Sequence, residues 1–240
     1  MFDSDVRARG NKPRFQTRDD TLIHQAELRA LPLQGQTGRS RAGNPTMHPP
    51  APESNPFPTH GGRSPGQLSF RRAEPHDTTA AQAAYRRIID HLAQTVDYPH
   101  WHTEDHPTPA EVAGWVEAGE LYLAVADDTI AGVVVLNHDA ADAYEEAGWA
   151  IEAEQDEVLI VHALGVVPDH LGVGVARFLV DASLRVARDR GCRAVRLDTY
   201  VENVPARRLY ERCGFTDLGC HTVRYEGTEL DQFHLFEYVL

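Results

Sequence analysis

Short apolar runs and helix-spaced apolar positions alternate along residues 68–240. Runs of strand length predict seven strands, at Leu68–Ala73, Leu121–Ala126, Ile130–Leu136, Val158–Val166, Ala194–Thr199, Asp217–Val223 and Phe233–Val239. The run Val158–Val166 is almost continuously apolar, as expected for a strand buried on both faces. Asp127-Asp128-Thr129 separates the second and third runs and predicts a hairpin between them.

Four further segments carry helix signals. Asp77 can cap a first helix, and Thr108-Pro109-Ala110-Glu111 is a capping box with proline at the first helical position of a second. Asn203 can cap a fourth helix, which ends at Gly214. The third helix ends near Gly191, and its apolar residues recur at helical spacing: Val175, Phe178, Leu179, Ala182 and Val186. The alternation predicts an α/β domain over residues 67–240.

The first 66 residues differ from the rest in composition. They hold nine of the 15 prolines and seven of the 18 glycines, with little periodicity outside Thr21 to Leu31, which could form a short helix. We expect residues 1–66 to be a disordered Pro/Gly-rich leader. Translation beginning at Met47 is an alternative that would remove the first 46 residues.

Charge and cysteine content limit the partners. Residues 67–240 carry 14 Lys/Arg against 30 Asp/Glu, and this acidic balance argues against a nucleic-acid surface. It is compatible with a cationic amine substrate. The three cysteines lack metal-like spacing and are interpreted as reduced. With no apolar run of about 20 residues and no signal-peptide pattern, we expect a cytoplasmic protein without membrane contact.

A glycine loop between the fourth strand and the third helix is the first candidate site. Pro168 helps to end the strand, and Gly172 and Gly174 let the backbone approach a ligand closely. Free amides and the positive end of the helix dipole then favour an anion. A P-loop would need a lysine here, and a dinucleotide fingerprint would need a third glycine where Arg177 stands.

A second motif decides between the remaining anions. The stretch Asn203 to Phe215 matches Asn-x-x-Ala-x-x-Leu-Tyr-x-x-x-Gly-Phe at every fixed position. The glycine loop follows the Leu-x-Val strand end Leu164–Val166 and matches Gln/Arg-x-x-Gly-x-Gly/Ala, except that Leu171 replaces the leading Gln/Arg. With both motifs in this order, roughly Leu68 to Leu240 resembles the GCN5-related N-acetyltransferase (GNAT) superfamily.

The resemblance implies a fold and a cofactor site. The fold is a mixed, mostly antiparallel twisted sheet of about seven strands with helices on both faces, opened between its fourth and fifth strands. The co-substrate is acetyl-CoA, and no metal is expected. The residues implied in cofactor binding are Leu164, Gly165, Val166, Leu171, Gly172, Val173, Gly174, Val175, Ala176, Arg177, Asn203, Ala206 and Tyr210.

The resemblance also implies catalytic roles. Tyr210 would give a proton to the leaving thiolate as a general acid. Many relatives place a glutamate base on the fourth strand where this chain has Ile160, and His162, two residues on, projects from the same face. Its ordinary pKa near 6.5 suits a base. A core histidine is the plainer interpretation, and other candidates precede the strand: Glu152, Glu154 and Asp156.

Two irregular segments are candidates for acceptor binding. Tyr98 to His106 joins the first two helices, and its His100, His102 and His106 could alternatively bind a metal, without helical spacing or a cysteine in support. The second segment, Asp139 to Glu157, resembles an insertion and contributes two aromatic residues that could line a pocket or simply pack, Tyr144 and Trp149.

Three functions are compatible with these features. The favoured one is acetyl transfer from acetyl-CoA to a primary amine of a small molecule, by direct attack in a ternary complex; the resemblance also allows a homodimer. The second is acetylation of a protein N-terminus or lysine. The third is a module that binds acyl-CoA without turnover, for which Leu171 and the absent strand glutamate leave room.

Overall fold

The computed structural model describes residues 67–225 and 228–240. The predicted leader and its short helix lie outside this part of the chain. The seven strands are β1 (Ser69–Arg72), β2 (Leu121–Ala126), β3 (Thr129–Asn137), β4 (Val158–Val166), β5 (Ala194–Tyr200), β6 (Thr216–Thr222) and β7 (Gln232–Val239). The four α-helices are α1 (Thr78–Gln94), α2 (Pro109–Ala118), α3 (Val175–Asp189) and α4 (Val204–Arg212). The predicted fold class is confirmed.

The strands form one sheet in the order β1-β2-β3-β4-β5-β7-β6. Neighbouring strands run antiparallel except β4 and β5, which are parallel. The β2–β3 turn is tight, because Asp127 and Asp128 adopt left-handed φ values of 47° and 60° that short polar side chains tolerate. The parallel pair needs a crossover, and α3 supplies it.

Each face of the sheet carries its own apolar layer. One layer packs α3 against the sheet through Val175, Leu179 and Leu184, and it also takes Tyr210 of α4. The opposite layer packs α1 and α2 through Tyr85, Ile88 and Val112 against inward-facing residues of β2 and β3. A third cluster, around Tyr144, covers β5 and β7 with residues of the 139–157 segment.

The predicted helix caps have mixed outcomes. The Thr108–Glu111 capping box is present, with Glu111 N–H donating to the Thr108 hydroxyl. Asp77 occupies the position before α1, but its side chain does not cap the helix. It forms a two-point ion pair with Arg71, at 2.6 and 2.8 Å, because the guanidinium offers stronger charge-assisted hydrogen bonds than one helix amide does.

Two chain-wide expectations bear on this part of the protein. Cys192, Cys213 and Cys220 are free thiols, so none forms a disulfide here. No helix within residues 67–225 or 228–240 combines the length and the apolar character that crossing a bilayer requires.

Candidate active site

A wedge opens between the parallel strands β4 and β5. They pair only at Val158–Ala194, Leu159–Val195 and Ile160–Arg196. Beyond these pairs, β4 continues for six residues, 161–166, and stays hydrogen-bonded to β3 on its other side. One backbone edge of β4 is therefore without a strand partner along the wedge, where an extended ligand arm can pair with it.

A β-bulge lies in the open part of β4. The pairing with β3 shifts register between Val133 and Val135, and Ala163 takes a left-handed φ of 46°. The Tyr85 hydroxyl of α1 donates to the Ala163 carbonyl oxygen over 2.8 Å. Such backbone outliers concentrate at functional sites, and this one re-aims the strand edge that borders the wedge.

The predicted cofactor residues of the strand end divide between the two faces. Leu164 and Val166 pack into the α3 layer. Gly165 is buried on the other face, where a Cβ would lie 2.8 Å from Ile88 and 3.2 Å from Trp101. A side chain at this position would therefore clash with α1 and with Trp101.

The glycine loop brings free amides to the end of the wedge. Gly172 and Gly174 have φ values of 76° and 92°, and α3 begins at once at Val175. The helix ladder cannot satisfy the amides of Val175, Ala176 and Arg177, and no side chain caps the helix. These groups and the helix dipole are the features for which the sequence predicts an anion site.

The side chains at the loop leave these amides uncovered. Leu171 and Val173 are 49% and 38% exposed, and the Arg177 guanidinium lies 3.6 Å from Asp181 one turn along the helix. Gly132 allows α3 to sit close to the sheet, since a Cβ there would lie 2.9 Å from both Val175 and Leu179. The helix start is therefore fixed by packing and not by a capping side chain.

Helix α4 carries Tyr210, the predicted general acid, into the apolar layer that packs α3 on the sheet. Asn203 caps the helix, its Oδ1 accepting from Ala206 N–H at 3.3 Å, as predicted. Tyr210 is buried against Phe215 and Phe236, with ring centroids 5.9 and 5.5 Å away. Burial raises the pKa of Tyr210, and the charge of Asp198 raises it further. The phenol therefore stays protonated at neutral pH, which suits a proton donor.

His162 lies on the opposite side of β4 from α3 and has a fixed tautomer. Its Nε2 is 3.0 Å from Asn137 Oδ1 and 3.1 Å from the Asp139 carbonyl oxygen. Both partners accept, so Nε2 carries the proton and Nδ1 keeps the lone pair of a base. Asn137 is itself held by Glu120, to which its Nδ2 donates at 3.2 Å. Burial lowers the pKa of His162, and it outweighs the carboxylates of Asp198 and Asp139, which act to raise it.

Asp198 was missing from the predicted site. It follows Arg196 by two residues on β5, as His162 follows Ile160 on β4, so the two residues face each other across the opening wedge. Its Oδ2 accepts hydrogen bonds from two tyrosine hydroxyls, of Tyr144 at 2.8 Å and of Tyr225 at 2.5 Å. The sequence did contain a signal for this residue, because Asp198 is a charged residue inside the predicted strand Ala194–Thr199, and a buried charge needs a partner.

The other predicted base candidates do not lie in the wedge. Ile160, which stands where many relatives place a glutamate, is fully buried in the third apolar cluster and has no titratable group. Glu152, Glu154 and Asp156 are exposed and precede the paired beginning of β4, at the end away from the opening. The interpretation of these three as a solvated loop is the better one.

The two predicted acceptor segments both reach the wedge. Trp101 packs 5.9 Å from Tyr85 and beneath Gly165, while His100 stacks edge-on against Tyr200 at the end of β5. His106 instead lies 3.2 Å from Glu111, so His100 and His106 have different surroundings. Over residues 67–225 and 228–240 there is no group of three or more side chains suited to a metal ion.

The insertion-like segment is attached to the sheet by its two predicted aromatic residues. Tyr144 is buried and reaches Asp198 with its hydroxyl, and Trp149 donates from Nε1 to the Tyr144 carbonyl oxygen at 2.6 Å. The Trp149 ring lies 4.2 Å from the Arg196 guanidinium. The Tyr144 ring therefore packs in the third apolar cluster, while its hydroxyl binds Asp198 beside the wedge.

Comparison with known proteins identifies the family. The sequence model of the Acetyltransferase (GNAT) family matches residues 80–215. The chain belongs to the GNAT family. The matched range includes β4, β5, the glycine loop and Tyr210. It therefore contains both sequence motifs on which the resemblance rests.

Two curated GNAT relatives carry acetyltransferase names. Mycothiol acetyltransferase of Thermomonospora curvata is 31% identical over 154 residues, covering 63% of this chain and 45% of that protein. Streptothricin acetyltransferase of Escherichia coli is 30% identical over 110 residues, covering 46% and 55%. The chain therefore spans about half the length of these relatives.

A solved acetyltransferase structure supports the fold. The structure of yncA from Salmonella typhimurium, with its cofactor acetyl-CoA, aligns with a TM-score of 0.53 at 16% identity. The alignment covers 73% of this chain and 95% of that one. At this identity the likeness concerns the fold alone.

Proposed function

We propose that this GNAT protein transfers the acetyl group of acetyl-CoA to a primary amine of a small molecule, by direct attack in a ternary complex. The observation that carries the proposal is the wedge itself. His162, with its free Nδ1 lone pair, and the carboxylate of Asp198 border the wedge. The buried phenol of Tyr210 lies in the apolar layer of α3, close enough for the charge of Asp198 to raise its pKa.

The residues present suit acetyl-CoA. The pyrophosphate takes the amides of Val175, Ala176 and Arg177, where the glycines leave the backbone open. The unpaired edge of β4 offers amides and carbonyls to the pantetheine arm, and Asn203 borders the same layer through α4. An amide of β4 that polarises the thioester carbonyl would lower the barrier to attack by about 3–4 kcal/mol.

The proposed chemistry assigns two proton transfers to this chain. The acceptor arrives as an ammonium ion and loses one proton to His162 Nδ1, from which it passes to solvent. The neutral nitrogen attacks the carbonyl carbon, and the C–N bond forms as the C–S bond breaks. The sulfur leaves as a thiolate and takes the phenolic proton of Tyr210. The second nitrogen proton replaces the one that Tyr210 gave up, so the amide, the thiol and one released proton balance the reaction.

Two alternatives remain for the same site. Acetylation of a protein N-terminus would use the same wedge with a larger acceptor. A binding module would hold acyl-CoA without turnover, and the exposed Leu171 in place of a polar side chain is the observation that favours it.

A thiol-release assay separates the three. The purified protein is given acetyl-CoA with a panel of small amines and, separately, with peptides that have free N-termini or internal lysines. Thiol release with small amines supports the proposal, and release with peptides alone supports the second function. Stoichiometric acetyl-CoA binding without release on any acceptor would support the module.

A further inference from the structure

Asp198 is the common electrostatic neighbour of the groups around the wedge. Its charge acts on His162, Tyr144, Tyr210 and Tyr225. The two tyrosine hydroxyls both bind Oδ2, and no described residue donates to Oδ1. Asp198 is half-buried, so we take Oδ1 as the oxygen that remains for a ligand.

Carboxylates dominate the charges that act on this part of the wedge. The charges that act on His162, across the wedge, are the carboxylates of Asp198, Asp139 and Glu120. The guanidinium two residues before Asp198, that of Arg196, is engaged with Glu237 at 3.0 Å and is 9% exposed. Among the described residues at this face, a negative group on a ligand therefore has like charges for neighbours.

We infer that Asp198, held by Tyr144 and Tyr225, is the acceptor anchor, and that it selects primary ammonium ions without an adjacent carboxylate. The inference rests on the proposed function and names its substrate class: simple amines, rather than α-amino acids. A carboxylate one carbon from the ammonium would enter among three like charges, and such juxtaposition costs several kcal/mol, or about 100-fold in affinity.

The anchor has a kinetic signature that differs from that of a base. Asp198 stabilises the protonated form of the amine, which is the dominant form at neutral pH, and so favours its capture. The same contact opposes loss of the proton and does not accelerate the chemical step. Removing the charge therefore raises the KM for the amine while kcat stays within a few-fold of the wild-type value.

The test measures amine binding apart from turnover. The full chain is saturated with CoA, which carries no acetyl group, and titrated with matched pairs: tyramine and tyrosine, isobutylamine and valine, histamine and histidine. Asp198→Asn removes the charge but keeps an oxygen for the two tyrosine hydroxyls. Asp90→Asn, at an exposed surface pair with Arg86, is the matched control. CoA affinity is measured for each variant and shows that it is folded.

We expect the wild type and the Asp90→Asn control to bind the amines about 100-fold more tightly than the amino acids. The Asp198→Asn variant should lose about 10- to 100-fold in amine affinity, while its CoA affinity stays unchanged. Equal binding of both partners in the pairs, no binding of any amine, or unchanged amine affinity in Asp198→Asn overturns the anchor. Turnover without this selectivity keeps the proposed function and rejects the anchor. Selective binding without thiol release keeps the anchor and rejects the proposed function.

Discussion

The Tyr85 hydroxyl donates a hydrogen bond to the carbonyl oxygen of Ala163, which joins α1 to the bulged residue of β4. Ala163 has a left-handed φ of 46°, a conformation that costs about 1–2 kcal/mol for a residue with a β-carbon. The bulge sits where the wedge opens, so this bond helps to hold a strained strand edge beside the candidate catalytic groups.

Removing that bond should destabilise the protein. We expect Tyr85→Phe, which keeps the ring packed against Trp101 and Trp115, to lower the free energy of unfolding by about 1–2 kcal/mol. Denaturant titration measures the change. Ala163→Gly relieves the backbone strain and should leave stability within about 1 kcal/mol of wild type, whereas Ala194→Gly, in the regularly paired start of β5, should destabilise. Equal losses of unfolding free energy in the two glycine variants would show that the backbone at Ala163 is not strained.

Loss of the Tyr210 hydroxyl should slow catalysis without unfolding the protein. The hydroxyl makes no hydrogen bond to another described residue, while the ring packs on Phe215 and Phe236. Tyr210→Phe is therefore expected to lower kcat about 100-fold, with acetyl-CoA affinity and melting temperature nearly unchanged. Tyr238→Phe, in the same aromatic group through Phe215, is the control. A wild-type kcat for Tyr210→Phe would rule out its role as the acid.

The pH dependence should report His162. A base must be neutral, so kcat/KM rises with pH through its pKa, which burial lowers beneath the ordinary 6.5. We expect the acid inflection of kcat/KM below pH 6.5 and a loss of about 100-fold or more in His162→Gln at neutral pH. The pH–rate profile of this variant should lack that inflection. An unchanged inflection would assign it to another group.

The conformation of Gly174 should govern cofactor affinity. A Cβ there meets nothing within 4 Å, so Gly174→Ala acts through its φ of 92° alone, at about 1–2 kcal/mol. Because this residue sets the direction of the α3 amides, acetyl-CoA affinity should fall about tenfold by calorimetry. Gly114→Ala in α2 also meets nothing and should instead add about 0.5–1 kcal/mol of stability, with affinity unchanged. Similar affinities for both variants would exclude an amide cradle.

Acid should destabilise the protein partly through Asp77. Its hydrogen bonds from Arg71 lower the pKa of Asp77 to about 2, beneath the unfolded value near 3.9. As pH falls, the Asp77 carboxyl is protonated in the unfolded state before it is protonated in the folded state. The stabilisation of the folded state by Asp77 is therefore complete above about pH 5 and is lost as pH falls towards 2. Asp77→Asn should flatten the dependence of unfolding free energy on pH in this window. Asp90→Asn, at an exposed pair, should leave the slope unchanged.

Local sequence signals predicted the scaffold well. The apolar run Val158–Val166 is β4 to the residue, and the hydrophobic spacing after Gly174 gives α3. The Asn203 cap begins α4 as expected. Each of these features depends on residues close together in the chain, so periodicity and capping chemistry suffice to predict them.

The site depended on contacts that local patterns do not contain. An alanine in a left-handed conformation has no sequence sign, and Ala163 is held by Tyr85, 78 residues earlier. Asp198 is defined by Tyr144 and Tyr225, 54 and 27 residues away. Only the folded sheet brings these groups together, which explains why the glycine loop could be predicted while Asp198 and the bulge at Ala163 could not.

The buried pair of Arg196 and Glu237 has a consequence for how substrates enter. Glu237 also accepts from Ala150 N–H at 2.7 Å, and Arg196 donates to the Ile151 carbonyl oxygen at 2.8 Å, so the segment carrying Tyr144 is fastened to the middle of the sheet. Lifting the segment would leave the ion pair intact but would remove one hydrogen bond from each of its two buried groups, which costs more than opening an exposed loop. We therefore expect this segment to stay closed on the sheet as one side of the proposed site, which leaves the side of His100 and Trp101 for entry of the acceptor.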